Sequence, residues 1–244
     1  MEIFKSCAIV NMKKLYKIAR QLVLLWVCVS VSHTGSLYAQ NTLPKTIIWK
    51  LDNINQIGGH QPTVLGHPVV IKDQTRKSIF FDGVDDGLVI SQIPMRGWKK
   101  FSIEVLFKPS GDGPVAPRFI HFTDDSLNRG TFEVRLTQGK EWYMDTFLRN
   151  GKTGKGLTLI DSTLLHPSDK WYWAALTYDG QKMTSYVNGV KELEGNVGLP
   201  PMLNGELSLG VRLNRVAWFK GFISEIRFHP EVLSADALKK EVKD

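Results

Sequence analysis

A rhythm of short apolar runs constrains this chain more than any other feature. Residues 46–51, 68–71, 77–81, 87–90, 101–107 and 118–122 are rich in Val, Ile, Phe, Tyr, Trp and Thr. So are 131–136, 142–148, 156–160, 171–178, 183–188, 206–211 and 219–229. Each run is strand-sized, and turn residues separate them at roughly ten-residue spacing. Asp82-Gly83, Asn150-Gly151, Asp179-Gly180, Asn188-Gly189 and Asn204-Gly205 are pairs that close β-hairpins, because Gly and Asn tolerate the left-handed backbone such turns need. Between 46 and 230 no stretch has the spacing of a three-turn helix. The tail does: Ser234 is a suitable N-cap for a short helix over 235–240. A dozen or so antiparallel strands without helices must bury their apolar faces on one another, as packed sheets or a barrel.

Charge and cysteine content depend on what the first forty residues are. A basic stretch (Lys13, Lys14, Lys17, Arg20) precedes an apolar run over 22–31, and small and polar residues lead to Tyr38-Ala39-Gln40. This is the layout of a secretory signal peptide, with cleavage expected after Ala39. The apolar run is far shorter than the ~20 residues that span a bilayer. Trp26-Val27 before Cys28 is a poor lipoprotein box, so a soluble exported protein is expected, without a transmembrane anchor after cleavage. The whole chain carries 31 basic and 24 acidic residues, a net charge of +7. Residues 1–39 hold five of the basic residues, one acid and both cysteines, so the remainder carries +3 and no thiol. Disulfides, thiol nucleophiles and Cys-ligated metals are thereby excluded from residues 40–244, and a nucleic-acid partner loses its main support. No repeat, linker or composition break divides 40–244, so one domain, expected to be monomeric, is the economical reading.

Five motifs in order carry a resemblance to a known family. They are residues 77–86 (KSIFFDGVDD), 101–109 (FSIEVLFKP), 171–180 (WYWAALTYDG) with 186–189 (YVNG), 207–210 (LSLG), and 219–228 (FKGFISEIRF) leading to Leu233-Ser234. In this order the chain resembles the laminin-G-like branch of the concanavalin A-like lectin/glucanase superfamily over about residues 46–240. The resemblance implies an all-β, two-sheet antiparallel jelly-roll sandwich, here with the short C-terminal helix added. It also implies a sheet face that often holds carbohydrate. It does not settle function, because this fold hosts lectins, adhesion modules, hydrolases and lyases.

Glycosidases need two carboxylates across the scissile bond, and the family's hydrolases carry Glu-x-Asp-x-x-Glu on one strand. No Glu-x-Asp occurs here, and Glu192-x-Glu194 follows Asn188-Gly189 in an expected loop. Glu133-Val134-Arg135 and Phe119-Ile120-His121 partly match the strands of alginate-lyase-like relatives, but in reversed order and without the closing Tyr motif.

Alternation places what remains. Glu133 and Arg135 share one face of their run, Phe119 and His121 one face opposite Ile120, and Tyr143, Asp145 and Phe147 one face. Trp171 and Trp173 share a face, either in the core or on a sugar-binding surface. His166-Pro167 reads as a loop.

Glu133, Arg135, Asp145 and His121 with Tyr143 and the two tryptophans suit a sugar, since rings stack on its apolar faces and charged groups bind its hydroxyls. The resemblance also raises calcium, for which Asp82, Asp85 and Asp86 form the acidic cluster with oxygen ligands of the right hardness. Ser224 stands where the family commonly has Asp. The leading expectation is an exported glycan- or polysaccharide-binding or adhesion-type domain without a complete standard catalytic set. The alternative is a polysaccharide hydrolase or lyase built on Glu133, Asp145, Arg135 and His121, and a third reading is a surface protein held by protein–protein contact.

Overall fold

The computed structural model describes residues 45–240 and Val242. The expected leader, its cleavage site and both cysteines lie outside the described residues. Sixteen strands follow in chain order among the described residues. They are β1 (Ile47–Lys50), β2 (Thr63–Leu65), β3 (Val69–Lys72), β4 (Lys77–Asp82), β5 (Gly87–Ile90), β6 (Phe101–Pro109), β7 (Arg118–Asp124) and β8 (Arg129–Leu136). The rest are β9 (Glu141–Arg149), β10 (Gly156–Ile160), β11 (His166–Pro167), β12 (Tyr172–Tyr178), β13 (Lys182–Val187), β14 (Val190–Asn196), β15 (Gly205–Leu209) and β16 (Lys220–His229).

The strands form two antiparallel sheets of a jelly-roll sandwich. The first runs β14-β13-β12-β6-β16-β4-β3, with β1 beside β16. The second runs β10-β9-β8-β7-β15-β5-β2, with β11 beside β9. β16 changes partner along one edge: residues 220–223 pair with β4 and 225–228 with β1, and the irregularity at Ser224 marks the switch. Apolar residues alternate inward from both sheets and meet in one core. Phe107 of the first sheet stacks on Phe119 of the second at 4.3 Å, with Trp142 edge-on at 5.2 Å. Such rings bury large areas, at about 25 cal/mol per Å² of apolar surface. The core closes at one end where Leu199 donates its N–H to Tyr178 Oη at 2.8 Å.

Two expectations change. The tail forms one turn rather than a helix, with the N–H groups of Ala237 and Leu238 donating to Ser234 O and no further helical turn among the described residues. A single turn gains too few hydrogen bonds to offset its ordering, so it is held by packing Leu238 with Leu233 and Ala235 on Ala175 and Tyr186. Glu192 and Glu194 lie on a strand, β14, at the edge of the first sheet rather than in a loop. No helix among the described residues is long and apolar enough to cross a membrane.

Candidate functional site

The outer face of the second sheet carries charge where an outer face usually carries solvated polar residues. Its floor follows from register. Arg118, Glu133 and Asp145 form one rung across β7, β8 and β9. His121, Thr131, Phe147 and Thr158 form the next, across β7 to β10. Arg129 lies one rung further on, opposite Arg149, and Arg135 lies on the other side, opposite Tyr143. With Arg212 from the loop after β15, the two rungs together with Arg129 and Arg135 line a hollow of about 240 Å³.

A bulge makes the two rungs line up. On β7 the pairing shifts between Arg118 and Ile120, so three β7 residues span two residues of β8. Phe119 and Ile120 therefore both enter the core. This corrects the expectation from simple alternation, which placed Phe119 with His121 and Ile120 opposite. The extra residue re-aims the strand and sets Arg118 and His121 on the same outer face. The hairpin after β7 holds the register: the Asp124 carboxylate accepts N–H bonds from Ser126, Asn128 and Leu203, and one from Asn128 Nδ2.

Glu133 and Asp145 are almost wholly buried, 4% and 2% exposed. Buried carboxylates need partners. Arg118 Nε meets Glu133 Oε1 at 2.7 Å, and Thr131 Oγ1 donates to the same oxygen at 3.0 Å. Arg135 donates to Asp145 Oδ2 from Nη2 at 2.6 Å and Nε at 2.9 Å, and Nη2 reaches Glu133 Oε2 at 3.3 Å. Burial first, and the Asp145 carboxylate second, raise the Glu133 pKa above the usual carboxylate range, against the pull of Arg118, Thr131 and Arg135. For Arg135, burial opposes the charge, but Asp145 and Glu133 outweigh it and raise its pKa.

His121 is 5% exposed. Its pKa falls to about 3, because burial and the charges of Arg212, Arg129 and Arg118 all oppose protonation. The ring is neutral at physiological pH. Leu213 N–H donates to its Nδ1 at 3.4 Å, so the ring proton sits on Nε2. Nε2 and Asp145 Oδ1 are both buried without a hydrogen-bond partner among the described residues. The frame thus leaves one donor and one acceptor unanswered beside the hollow.

The remaining expected residues separate. Tyr143 lies on the same face, half-buried beside Arg135. Trp171 and Trp173 do not join it: Trp173 is buried, 6% exposed, and Trp171 half-buried, both outside the main core cluster. They lie on the outer face of the first sheet, across the sandwich. Arg227 stands over Trp173 at 5.4 Å, while Arg76 and Lys108 stand over Trp171 at 4.7 and 5.5 Å. The reason is topological: β12 pairs with β6 and β13, which belong to the other sheet. His166 is on β11, its Nε2 2.6 Å from Glu192 Oε1 and its ring on Trp142.

Asp82, Asp85 and Asp86 do come together, with oxygens within 4.8 Å. Asp82 Oδ1 accepts N–H bonds from Val84, Asp85 and Asp86, while both Asp86 oxygens accept from His67 and Asp82. Burial would raise the Asp82 pKa, but these amides outweigh it and lower it. Ser224 is at the far end of β4, donating to Lys77 O at 2.8 Å. The three carboxylates stand close enough to share a cation, and the turn hydrogen bonds by themselves also account for the cluster.

Sequence reasoning missed Arg118, Arg129, Thr131, Thr158 and Arg212. Glu133 with Arg135, and Asp145 with Phe147, were visible because i, i+2 spacing on a regular strand fixes a shared face. Thr131 and Arg129 fall on the same alternation, two and four residues before Glu133, and were the recoverable signals.

A family model described as the concanavalin A-like lectin/glucanases superfamily matches residues 81–239. No curated protein sequence matches the chain. Domain 4 of AbnA, a GH43 extracellular arabinanase from Geobacillus stearothermophilus, solved in complex with arabinotriose, is similar in structure. Its TM-score is 0.60 at 18% identity, over 79% of this chain and 96% of that one. The botulinum neurotoxin serotype D ligand-binding domain, solved with N-acetylneuraminic acid, gives 0.58 at 15% identity, over 79% of this chain and 49% of that one. The binding domain of Paraclostridial Mosquitocidal Protein 1 gives 0.59 at 11% identity, over 78% and 50%. This chain therefore spans about half the length of the two toxin domains, and at these identities the likeness is one of fold.

Proposed function

The chain belongs to the concanavalin A-like lectin/glucanases superfamily, and from that premise we propose that it is an exported glycan-binding module whose ligand sits in the hollow over β7, β8 and β9. One observation carries the reading: Asp145 Oδ1 and His121 Nε2 are buried and unpartnered in an otherwise completed network. Leaving a buried polar atom unpaired costs about 1–3 kcal/mol. A sugar meets both needs at once, since each hydroxyl both donates and accepts. Asp145 Oδ1 takes an O–H, and His121 Nε2–H gives to an oxygen. Phe147 on the same rung offers a ring for the apolar face of a sugar. The sugars bound in two structures of like fold, arabinotriose and N-acetylneuraminic acid, support the same reading. The leader at 1–39 would deliver residues 40–244 outside the cytoplasm as a monomeric jelly-roll domain, with glycan rather than nucleic acid as partner.

A second reading is polysaccharide cleavage, favoured by Glu133 and Asp145 standing opposite each other on β8 and β9. Two features weigh for binding. Arg118 and Arg135 hold the carboxylates in place. His121, with Nδ1 accepting the Leu213 N–H, presents a donor rather than a base.

A glycan array followed by titration calorimetry tests the proposal. It expects saturable binding to at least one glycan class, about tenfold weaker for Asp145→Asn with Phe147→Ala. Absence of binding across the array, together with new reducing or unsaturated ends released from a polysaccharide, would replace it with the second reading.

A further inference from the structure

We propose that the glycan is acidic, and that its anionic group, a carboxylate or a sulfate, docks where Arg129, Arg212 and the Nε2–H of His121 meet. This deepens the glycan-binding reading and rests on it. The charge of the hollow is unbalanced: four arginines line it against two carboxylates, and His121 is neutral. The imbalance is local. Arg118 and Arg135 are taken up by Glu133 and Asp145, whereas neither Arg129 nor Arg212 makes an ion pair with a carboxylate among the described residues.

Three residues mark the place. His121, Arg129 and Arg212 line both this hollow and a second one of about 240 Å³ beside it, so they stand at the junction of the two. Arg149 lines the second hollow behind them. Burial first, then the neighbouring charges of Arg212, Arg149 and Arg118, lower the Arg129 pKa. Crowded, partly desolvated guanidinium groups are a cost that an anion removes. The planar fork of Arg accepts a carboxylate or sulfate through two parallel bonds.

The loop that presents Arg212 is built before any ligand arrives. Arg212 N–H donates to Val216 O at 3.2 Å and Arg215 N–H to Arg212 O at 2.8 Å. Ser208 Oγ donates to Val211 O at 2.6 Å, and Arg118 N–H to Ala217 O at 2.9 Å. Arg215 and Ala217 sit in the left-handed region, with φ of 60° and 59°. Non-glycine residues are held there only where the surroundings over-determine them. The same loop supplies the Leu213 N–H that fixes the His121 proton on Nε2.

Two matched pairs of probes test the subsite by calorimetry: oligogalacturonate against its methyl ester, and dextran sulfate against dextran. Each pair keeps the skeleton and removes the charge. The expected result is that one charged member binds at least about tenfold more tightly than its neutral partner, with affinity falling as salt rises. The pair that shows the effect identifies carboxylate or sulfate. Arg212→Gln should lose about tenfold more affinity for the charged member than for the neutral one, with Arg212→Lys between. Arg129→Gln should do the same, and thermal melts establish that each variant is folded. Equal affinity for charged and neutral members, or array binding confined to neutral glycans, overturns the anion subsite and leaves glycan binding standing. Undiminished charged-ligand binding in both arginine variants overturns the location. No binding to any glycan overturns the parent reading as well.

Discussion

His121 couples stability to pH through a single buried ring. The unfolded chain takes up a proton on it below about pH 6.5, while the folded protein holds it neutral down to about 3. The stability that this neutral ring contributes is complete above the unfolded value and is lost as the pH falls from about 6.5 toward 3. Glu133 acts with the opposite sign: its raised pKa favours folding in acid, and that gain is lost as the pH rises through the folded value. Urea unfolding at pH 7 and pH 4.5 should show a loss that shrinks by about 2 kcal/mol in His121→Gln, which isolates the imidazole from the carboxylates. An equal loss in both proteins would contradict the assignment. Arg135→Gln should destabilise by about 2 kcal/mol or more, because it leaves Asp145 Oδ2 and Glu133 Oε2 buried without their cation. At this scale alternation was a good guide to Glu133, Arg135, Asp145 and Tyr143. It had no purchase on Arg212, whose position depends on a loop stapled by backbone hydrogen bonds.

Among the elements, the bulge in β7 decides most. It is one extra residue, yet it moves His121 from the core side to the hollow and sends Phe119 and Ile120 inward together. Residue types gave no sign of it, since Phe-Ile-His is as acceptable in a regular strand. Phe119 stacks on Phe107 with only 5° between ring planes, and its ring also contacts Phe132 and Phe219. Phe119→Ala should therefore cost about 3–5 kcal/mol in chemical denaturation. A cost below about 1 kcal/mol would mean that the bulge does not anchor in the core. The tryptophans show the other limit of local reading. Their shared face was legible, but whether that face belongs with Glu133 depends on which sheet β12 joins, a matter of long-range pairing. Trp171→Ala and Trp173→Ala should leave glycan affinity within about twofold of wild type, and a tenfold loss in titration would place the ligand on the first sheet instead.

For the molecule as a whole, the strand rhythm and the five ordered motifs carried the fold class, because period and turn chemistry are local signals that a sandwich uses throughout. The tail helix failed for the converse reason: its propensity was local, but packing on Ala175 and Tyr186 chose a single turn. Export belongs to this scale too. The protein recovered from the outside of its cell should begin at Gln40 by intact-mass measurement, and a mass that includes residues 1–39 would refute cleavage. The central claim, that the outer face of the second sheet binds glycan through its charged hollow, is tested most directly by mapping amide NMR shifts as the tightest array glycan is titrated in. The account predicts that His121, Arg129, Thr131, Glu133, Asp145 and Leu213 move together while Trp171, Trp173 and Phe222 stay in place. Shifts centred on Trp171, Trp173 and Phe222, with the hollow silent, would contradict it.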